Sequence, residues 1–123
     1  MDLDLEDLLS DAALVRLRAV LEERTDAILT LMRPDMTVAW ATEPGATHVF
    51  RRDSSQYEGR SSREFVHPQD LPSFQRAFDE ALAGGTSQWE GRAIDADGAW
   101  VIIRVIFWPV RQGRAVVTVT VAP

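Results

Sequence analysis

An α+β fold built on a five-stranded antiparallel sheet is what this sequence predicts, on three observations. The hydrophobic period is helical up to residue 25 and close to two in the segments that follow. Those segments come first as a pair and then as a set of three, with helical sequence between the sets. Within each set the connections are short and rich in turn residues, which suits antiparallel neighbours. The chain has 123 residues, the length of a single domain. Folding at this length buries roughly two-thirds of the extended chain's surface, enough for one real core.

Residues 3–24 read as helix, because Leu, Ala, Glu and Arg dominate and neither Gly nor Pro interrupts. Ser10 or Asp11 can cap a second helical segment. In that segment Ala13, Leu14, Leu17, Val20 and Leu21 share one face, while Arg18 and Glu22 pair at i,i+4 on the opposite side. Leu5, Leu8, Leu9 and Ala12 form a separate apolar patch. This helix is expected to form a cap or dimerisation segment, 1–25, ahead of a domain spanning 26–123.

The first strand is expected at Ala27–Met32, followed by a turn at Arg33-Pro34-Asp35-Met36 and a second strand at Thr37–Thr42. Residues 43–66 are irregular, with short helical pieces around Ala46–Phe50 and Ser55–Tyr57. Pro68–Ala83 forms a longer helix, with Asp70 as its N-cap and Phe74, Ala77, Phe78, Ala81 and Leu82 on one face. Gly84-Gly85 stops it. Three strands follow, at Gln88–Ile94, Ala99–Val110 and Arg114–Val121, joined by Asp95-Ala96-Asp97-Gly98 and Gln112-Gly113.

Composition narrows the function classes. With no cysteine, disulfides, thiolate zinc sites, thiol nucleophiles and cysteinyl cofactor adducts are all excluded. The net charge is −6, and all 13 basic residues are Arg. Residues 1–26 carry eight of the 19 acids. Without a basic stripe, neither nucleic acid nor an acidic membrane is an expected partner of this chain alone. The longest apolar run, Trp100–Val110, contains Arg104 and is too short to cross a bilayer. The acidic N-terminus differs from a secretory signal, so a cytoplasmic location is expected.

Several constellations read as structure rather than chemistry. His67-Pro68-Gln69-Asp70 lies near Ser61 and Ser62 but is a helix start, and no Gly-x-Ser-x-Gly elbow exists to activate a serine. Asp95-x-Asp97-Gly98 lacks the further ligands of a calcium loop and is expected to be a hairpin turn. Asp79, Glu90 and His48 are the candidate acids and bases, and the sequence shows no pairing among them. No metal site is expected.

Two stretches carry a family likeness. Tyr57-Glu58-Gly59-Arg60-Ser61 runs on to Phe65-Val66-His67-Pro68-Gln69-Asp70, and Trp89-Glu90-Gly91-Arg92-Ala93-Ile94 meets Asp95-Ala96-Asp97-Gly98-Ala99-Trp100. Together, in this element order, they resemble a PAS domain of the His-Pro-x-Asp type over residues 26–121. The chain departs from the family in two places. Arg51-Arg52 stands where a Gly is usual, and Val117-Thr118-Val119-Thr120-Val121 replaces the common Asp-Ile-Thr ending. The resemblance implies a sensory or interaction module, either excised or standalone or with its effector on another chain.

The resemblance also implies a small cavity between the curved sheet and the short helices, either filled or open. Trp40, Phe50, Tyr57 and Phe78 are its expected lining, with Arg92 offering charge to an anionic ligand. Haem is disfavoured because no His lies between Leu71 and Ala83, which leaves only His48 and His67. A Cys-linked flavin or chromophore is excluded by composition, while a non-covalent flavin stays open. No cofactor is expected.

Assembly is expected to involve the strand Ala99–Val110, which is apolar on both faces. One face presents Trp100, Ile102, Arg104, Ile106 and Trp108, the other Val101, Ile103, Val105 and Phe107. Such a strand needs cover on both sides. Leu14, Leu17, Val20 and Leu21 of the helix, against Ile102, Ile106 and Trp108, would supply it within one chain or across a homodimer. The function expected is a cytoplasmic, non-enzymatic sensory module that binds a small molecule or partner protein and signals through a dimer contact. Two alternatives stand beside it. One is a small α+β cone enzyme with isomerase-like or hydrolase-like pocket chemistry. The other is a ligand-free dimerisation module of a transcriptional regulator or histidine kinase.

Overall fold

The computed structural model describes residues 12–110 and 113–122. Helix α1 spans Ala12–Leu21 and is followed by strands β1 (Ala27–Met32) and β2 (Val38–Ala41). Helix α2 (Gly45–Phe50) and three 3₁₀ turns, at Ser54–Gln56, Ser62–Phe65 and Pro68–Asp70, lead into helix α3 (Leu71–Leu82). Strands β3 (Ser87–Ile94), β4 (Trp100–Val110) and β5 (Ala115–Val121) follow. The expected helix over residues 3–11, its Ser10 or Asp11 cap and the Leu5-Leu8-Leu9 patch lie outside the described residues. So does Gln112 of the last hairpin.

The sheet order is β2-β1-β5-β4-β3, with every pair antiparallel. The last strand therefore sits at the centre, between the N-terminal pair and the C-terminal hairpin. Alternation gives each strand two faces. Ile28 and Met32 of β1, Val116 of β5 and Ile103, Val105 and Phe107 of β4 face inward, where they pack with Phe50, Phe74, Ala77, Phe78 and Ala81 of α2 and α3. Leu29, Leu31, Val117, Ala115 and Trp40 face outward and meet Leu14 and Leu21 of α1. Each large side chain buried this way stabilises by about 1.5–3 kcal/mol. Gly45 lets α2 lie directly on β1, because a Cβ there would strike the Ala27 carbonyl.

The long helix starts differently from the sequence expectation. Pro68–Asp70 is a 3₁₀ turn, and its cap is His67, whose Nδ1 accepts from the Gln69 N–H at 3.1 Å. Asp70 makes no side-chain cap to α3. Its carboxylate instead accepts from the Arg92 backbone N–H, Nε and Nη2, each at 2.9 Å. The physical reason lies in β3. It is an edge strand, so its outward N–H groups need acceptors from outside the sheet. Asp70 supplies one and takes the guanidinium fork as well, which holds its carboxyl down at about 2.

Among the described residues, only half of the outer face is covered. Leu14, Leu17 and Leu21 cap the β1–β5 side. Val20 does not join them and is 57% exposed, because at 100° per residue it falls roughly 90° from the stripe's centre. A helix about 10 Å across covers two or three strands spaced about 4.8 Å apart. Trp108 reaches the outer cluster, but Ile102 and Ile106 remain 49% and 42% exposed. The described part of the helix thus leaves Ile102 and Ile106 uncovered within one chain. The uncovered half forms a shallow groove of about 390 Å³ along Gln88, Glu90, Arg104, Ile106, Val119 and Val121. No helix among the described residues is long and apolar enough to cross a membrane.

Candidate functional site

The irregular stretch between α2 and α3 is held in place by local hydrogen bonds. Asp53 accepts from the Ser55 N–H while the Asp53 N–H donates to Gln56, and Ser61 and Glu64 repeat the arrangement. Gly59 takes φ 78°, a left-handed turn that returns the chain to β2. There the Val38 N–H donates to the Arg60 carbonyl at 2.9 Å and the Gly59 N–H to the Val38 carbonyl at 2.8 Å. These contacts lay Tyr57, Ser62 and Phe65 over the inner face of the sheet.

Two small chambers lie beneath them. The larger, about 80 Å³, is lined by Thr30, Met32, Val38, Tyr57, Ser62, Phe65, Phe74, Val105, Thr118 and Thr120. The smaller, about 40 Å³, is lined by Ile28, Thr30, Ala41, Phe50, Tyr57 and Thr120. Tyr57, Thr30 and Thr120 border both. Phe50, Tyr57 and Phe65 form an aromatic wall, with ring centroids 6.2 and 4.7 Å apart. The Tyr57 hydroxyl is buried and has no hydrogen-bond partner among the described residues. Burial pushes its phenol upward, against a smaller opposing effect of Arg52.

Of the expected lining residues, Phe50 and Tyr57 are where the sequence placed them. Phe78 is buried in the inner core but borders neither chamber. Trp40 lies on the opposite face, beneath the Arg18 guanidinium at 4.4 Å. The cause is a β-bulge: the β1–β2 register shifts between Leu31 and Met32, which sends both Ala39 and Trp40 outward. Arg92 is committed to Asp70 at the β3 edge and offers no charge to the chambers. The residues that the sequence reading missed are chiefly Thr30, Thr118 and Thr120. Their signal was present as threonines at alternate positions in otherwise apolar strands.

The candidate acids and bases are dispersed. Asp79 accepts from Gln75 Nε2, Glu90 pairs with Arg104 on the outer face, and His48 is exposed on α2. Among the described residues, no Asp, Glu or His borders either chamber. Among the described residues, no three His, Asp or Glu side chains group as they would around a metal ion. The Asp95 carboxylate accepts from the Asp97 and Ala99 N–H groups, both at 2.9 Å, in a hairpin turn closed by Gly98 at φ 84°.

Against this geometry the comparisons with known proteins are consistent. The sequence model of the PAS fold matches residues 39–122. A PAS domain of an HTR-like protein from Haloarcula marismortui superposes at a TM-score of 0.66, with 20% identity over 96% of this chain and 95% of that one. A variant PAS-B domain of Drosophila melanogaster Cycle, solved with bound glycerol, gives 0.70 at 11% identity over 78% and 99%. The N-terminal domain of a diguanylate cyclase with a PAS/PAC sensor from Marinobacter aquaeolei gives 0.66 at 18% identity over 78% and 94%. No curated protein matches the chain.

Proposed function

The chain belongs to the PAS-fold family, a family of sensory domains, and from that premise we propose how it senses. A small molecule occupies the chambers on the inner face. The response of β4 and β5 is read on the outer face by a second copy of the chain, in the cytoplasm and without a coloured cofactor. Residues 1–25 act as cap and contact segment, residues 26–123 as the sensor.

One observation carries this reading. Thr118 and Thr120 of β5 border the larger chamber, while their neighbours Val119 and Val121 border the outer groove. Val105 of β4 borders both. A single layer of backbone thus separates ligand space from contact surface, and a displacement on one side is felt on the other. The glycerol in the Cycle domain supports small polar occupants for such a space. The dimer is supported by Ile102 and Ile106 beside the groove and by Val15 and Val20 on α1, all exposed. A cone enzyme is less well supported, since the chambers are bordered by apolar and hydroxyl-bearing side chains only.

The test is amide chemical-shift mapping with glycerol and 2-butanone as probes, paired with sedimentation equilibrium over a wide concentration range. Shifts are expected at Thr118 and Thr120, propagated to Val119, Val121 and Ile106, in a protein that dimerises. If no probe moves the chamber amides, the ligand reading falls. A chain that stays monomeric at the highest concentration removes the second copy as the reader.

A further inference from the structure

The chambers combine three features that together specify what they hold. Among the described residues, no charged side chain borders either of them. An ionised ligand would therefore leave water for a site with no ionised group at its wall, where the Arg52 charge is felt only from outside the lining. Their volumes, about 80 and 40 Å³, lie below the roughly 150 Å³ of a cavity that accepts benzene. And Tyr57, 9% exposed and bordering both chambers, presents a buried hydroxyl with no partner among the described residues. Buried hydroxyls are normally satisfied, so a solitary one marks a place where something else accepts. The Ser62 hydroxyl donates to the Met36 carbonyl at 3.0 Å and makes no bond to the Tyr57 hydroxyl. Arg52 lies over the Phe65 ring at 5.3 Å, donates to the Asp95 carbonyl at 3.0 Å and borders neither chamber.

Resting on the sensory reading above, we infer that the ligand is a small uncharged oxygen-bearing molecule, of the size of a short-chain alcohol or ketone, whose oxygen accepts from the Tyr57 hydroxyl. Tyr57 is then the residue that sets specificity. The aromatic wall and Met32, Val38 and Val105 take the carbon skeleton, and Thr30, Thr118 and Thr120 offer further hydroxyls to molecules with a second polar group.

Three near-isosteric probes test this on the full chain: 2-butanone, 2-methyl-1-butene and propionate, each titrated against wild type and Tyr57→Phe. Binding is read from the amide shifts of Thr30, Thr118 and Thr120. Tyr57→Phe keeps the ring against Phe50 and Phe65 and deletes only the donor. The ketone is expected to bind wild type about three- to tenfold more tightly than Tyr57→Phe, the range of one neutral hydrogen bond. The alkene should bind both proteins equally and propionate neither. Equal ketone affinity for the two proteins overturns the role of Tyr57 while leaving the cavity reading intact. Propionate binding more tightly than the ketone overturns the uncharged class. The hydrogen bond is read from the change between wild type and Tyr57→Phe for each probe, because the ketone and the alkene lose different hydration on entering the site. If no probe moves these amides, the sensory reading itself falls.

Discussion

Thr118 and Val119 are neighbours in β5, yet the first faces a chamber beneath the short helices and the second a groove open to water. The contrast extends across the sheet. The inner face, lined by apolar strands and helices, admits three threonines and a tyrosine hydroxyl. The outer face, half capped by α1, leaves Trp100, Ile102 and Ile106 exposed. Polar groups inside and apolar groups outside are the two informative departures from ordinary burial. Here they lie back to back on the same strands. Packing alone would have put valine at 118 and 120 and polar residues at 102 and 106. In the function proposed above, these departures are the two working surfaces, one for a small molecule and one for a second copy of the chain.

The largest effect should come from treating adjacent residues of β4 on opposite faces alike. Phe107 is fully buried and packs edge-on against Phe74 at 5.5 Å. Phe107→Ala is expected to cost about 3–5 kcal/mol. Ile106→Ala on the exposed side should cost under about 1 kcal/mol in dilute solution. Urea denaturation at several protein concentrations checks both. A second copy seated on the groove would make the cost of Ile106→Ala grow with concentration, and that of Phe107→Ala would stay the same.

Next in size is Gly45→Ala. The new methyl would meet the Ala27 carbonyl and crowd the Ile28 side chain at 3.1 Å. Because the Ala27 obstacle is backbone, α2 must shift off the inner face. A loss of about 1–3 kcal/mol is expected, together with altered amide shifts at Phe50 and Tyr57. Unchanged shifts would mean that α2 does not press on β1, and the inner face would then be looser than its packing implies.

These positions also show what was legible in the sequence and what was not. β1 was readable to the residue, and α3 nearly so, because each carries its own periodicity. The central place of β5 was not, since it depends on pairing with β1, far away in the chain. Trp40 was expected at the cavity from the family resemblance, which does not show the bulge that reverses the faces within β2. Asp70 was read as a cap because capping is local, whereas its actual partner, Arg92, is 22 residues away. Tyr57 and Phe50 were expected at the cavity by their position in the resemblance, and both border it. Thr30, Thr118 and Thr120 were overlooked because threonine is an ordinary strand residue, and only the fold shows which face it takes.

A smaller effect is expected where the two faces meet, at the β3 edge. The Asp70 carboxyl titrates at about 2 in the folded chain, against 3.8 ordinarily. A group whose folded value is depressed contributes stability above its unfolded value and loses it as pH falls through the folded one. Wild type should therefore lose urea resistance between about pH 4 and pH 2. Asp70→Asn should start lower at neutral pH and change less across that window. Parallel curves for the two proteins would mean that Arg92 is not held by the carboxylate.

The smallest effect concerns the covering segment itself. Arg51 ends α2 in the left-handed region, with φ 57° and ψ 28°, and its N–H donates to the Thr47 carbonyl at 2.8 Å. This is the position where the family commonly has glycine, and a side chain there costs roughly 1 kcal/mol. What Arg51 gains in return is an ion pair with Asp97 at 2.9 Å. Both side chains are well exposed, so the pair contributes about 0–1 kcal/mol and is screened by salt. Arg51→Gly removes the strain and the pair together and should leave stability within about 0.5 kcal/mol of wild type, improving as salt is added. Arg51→Ala removes the pair and keeps the strain, so it should be less stable than Arg51→Gly by about 1 kcal/mol at every ionic strength. Alanine equal to or better than glycine would place Arg51 outside the left-handed region. The lid over the chambers would then be anchored by its polar caps and not by the end of α2.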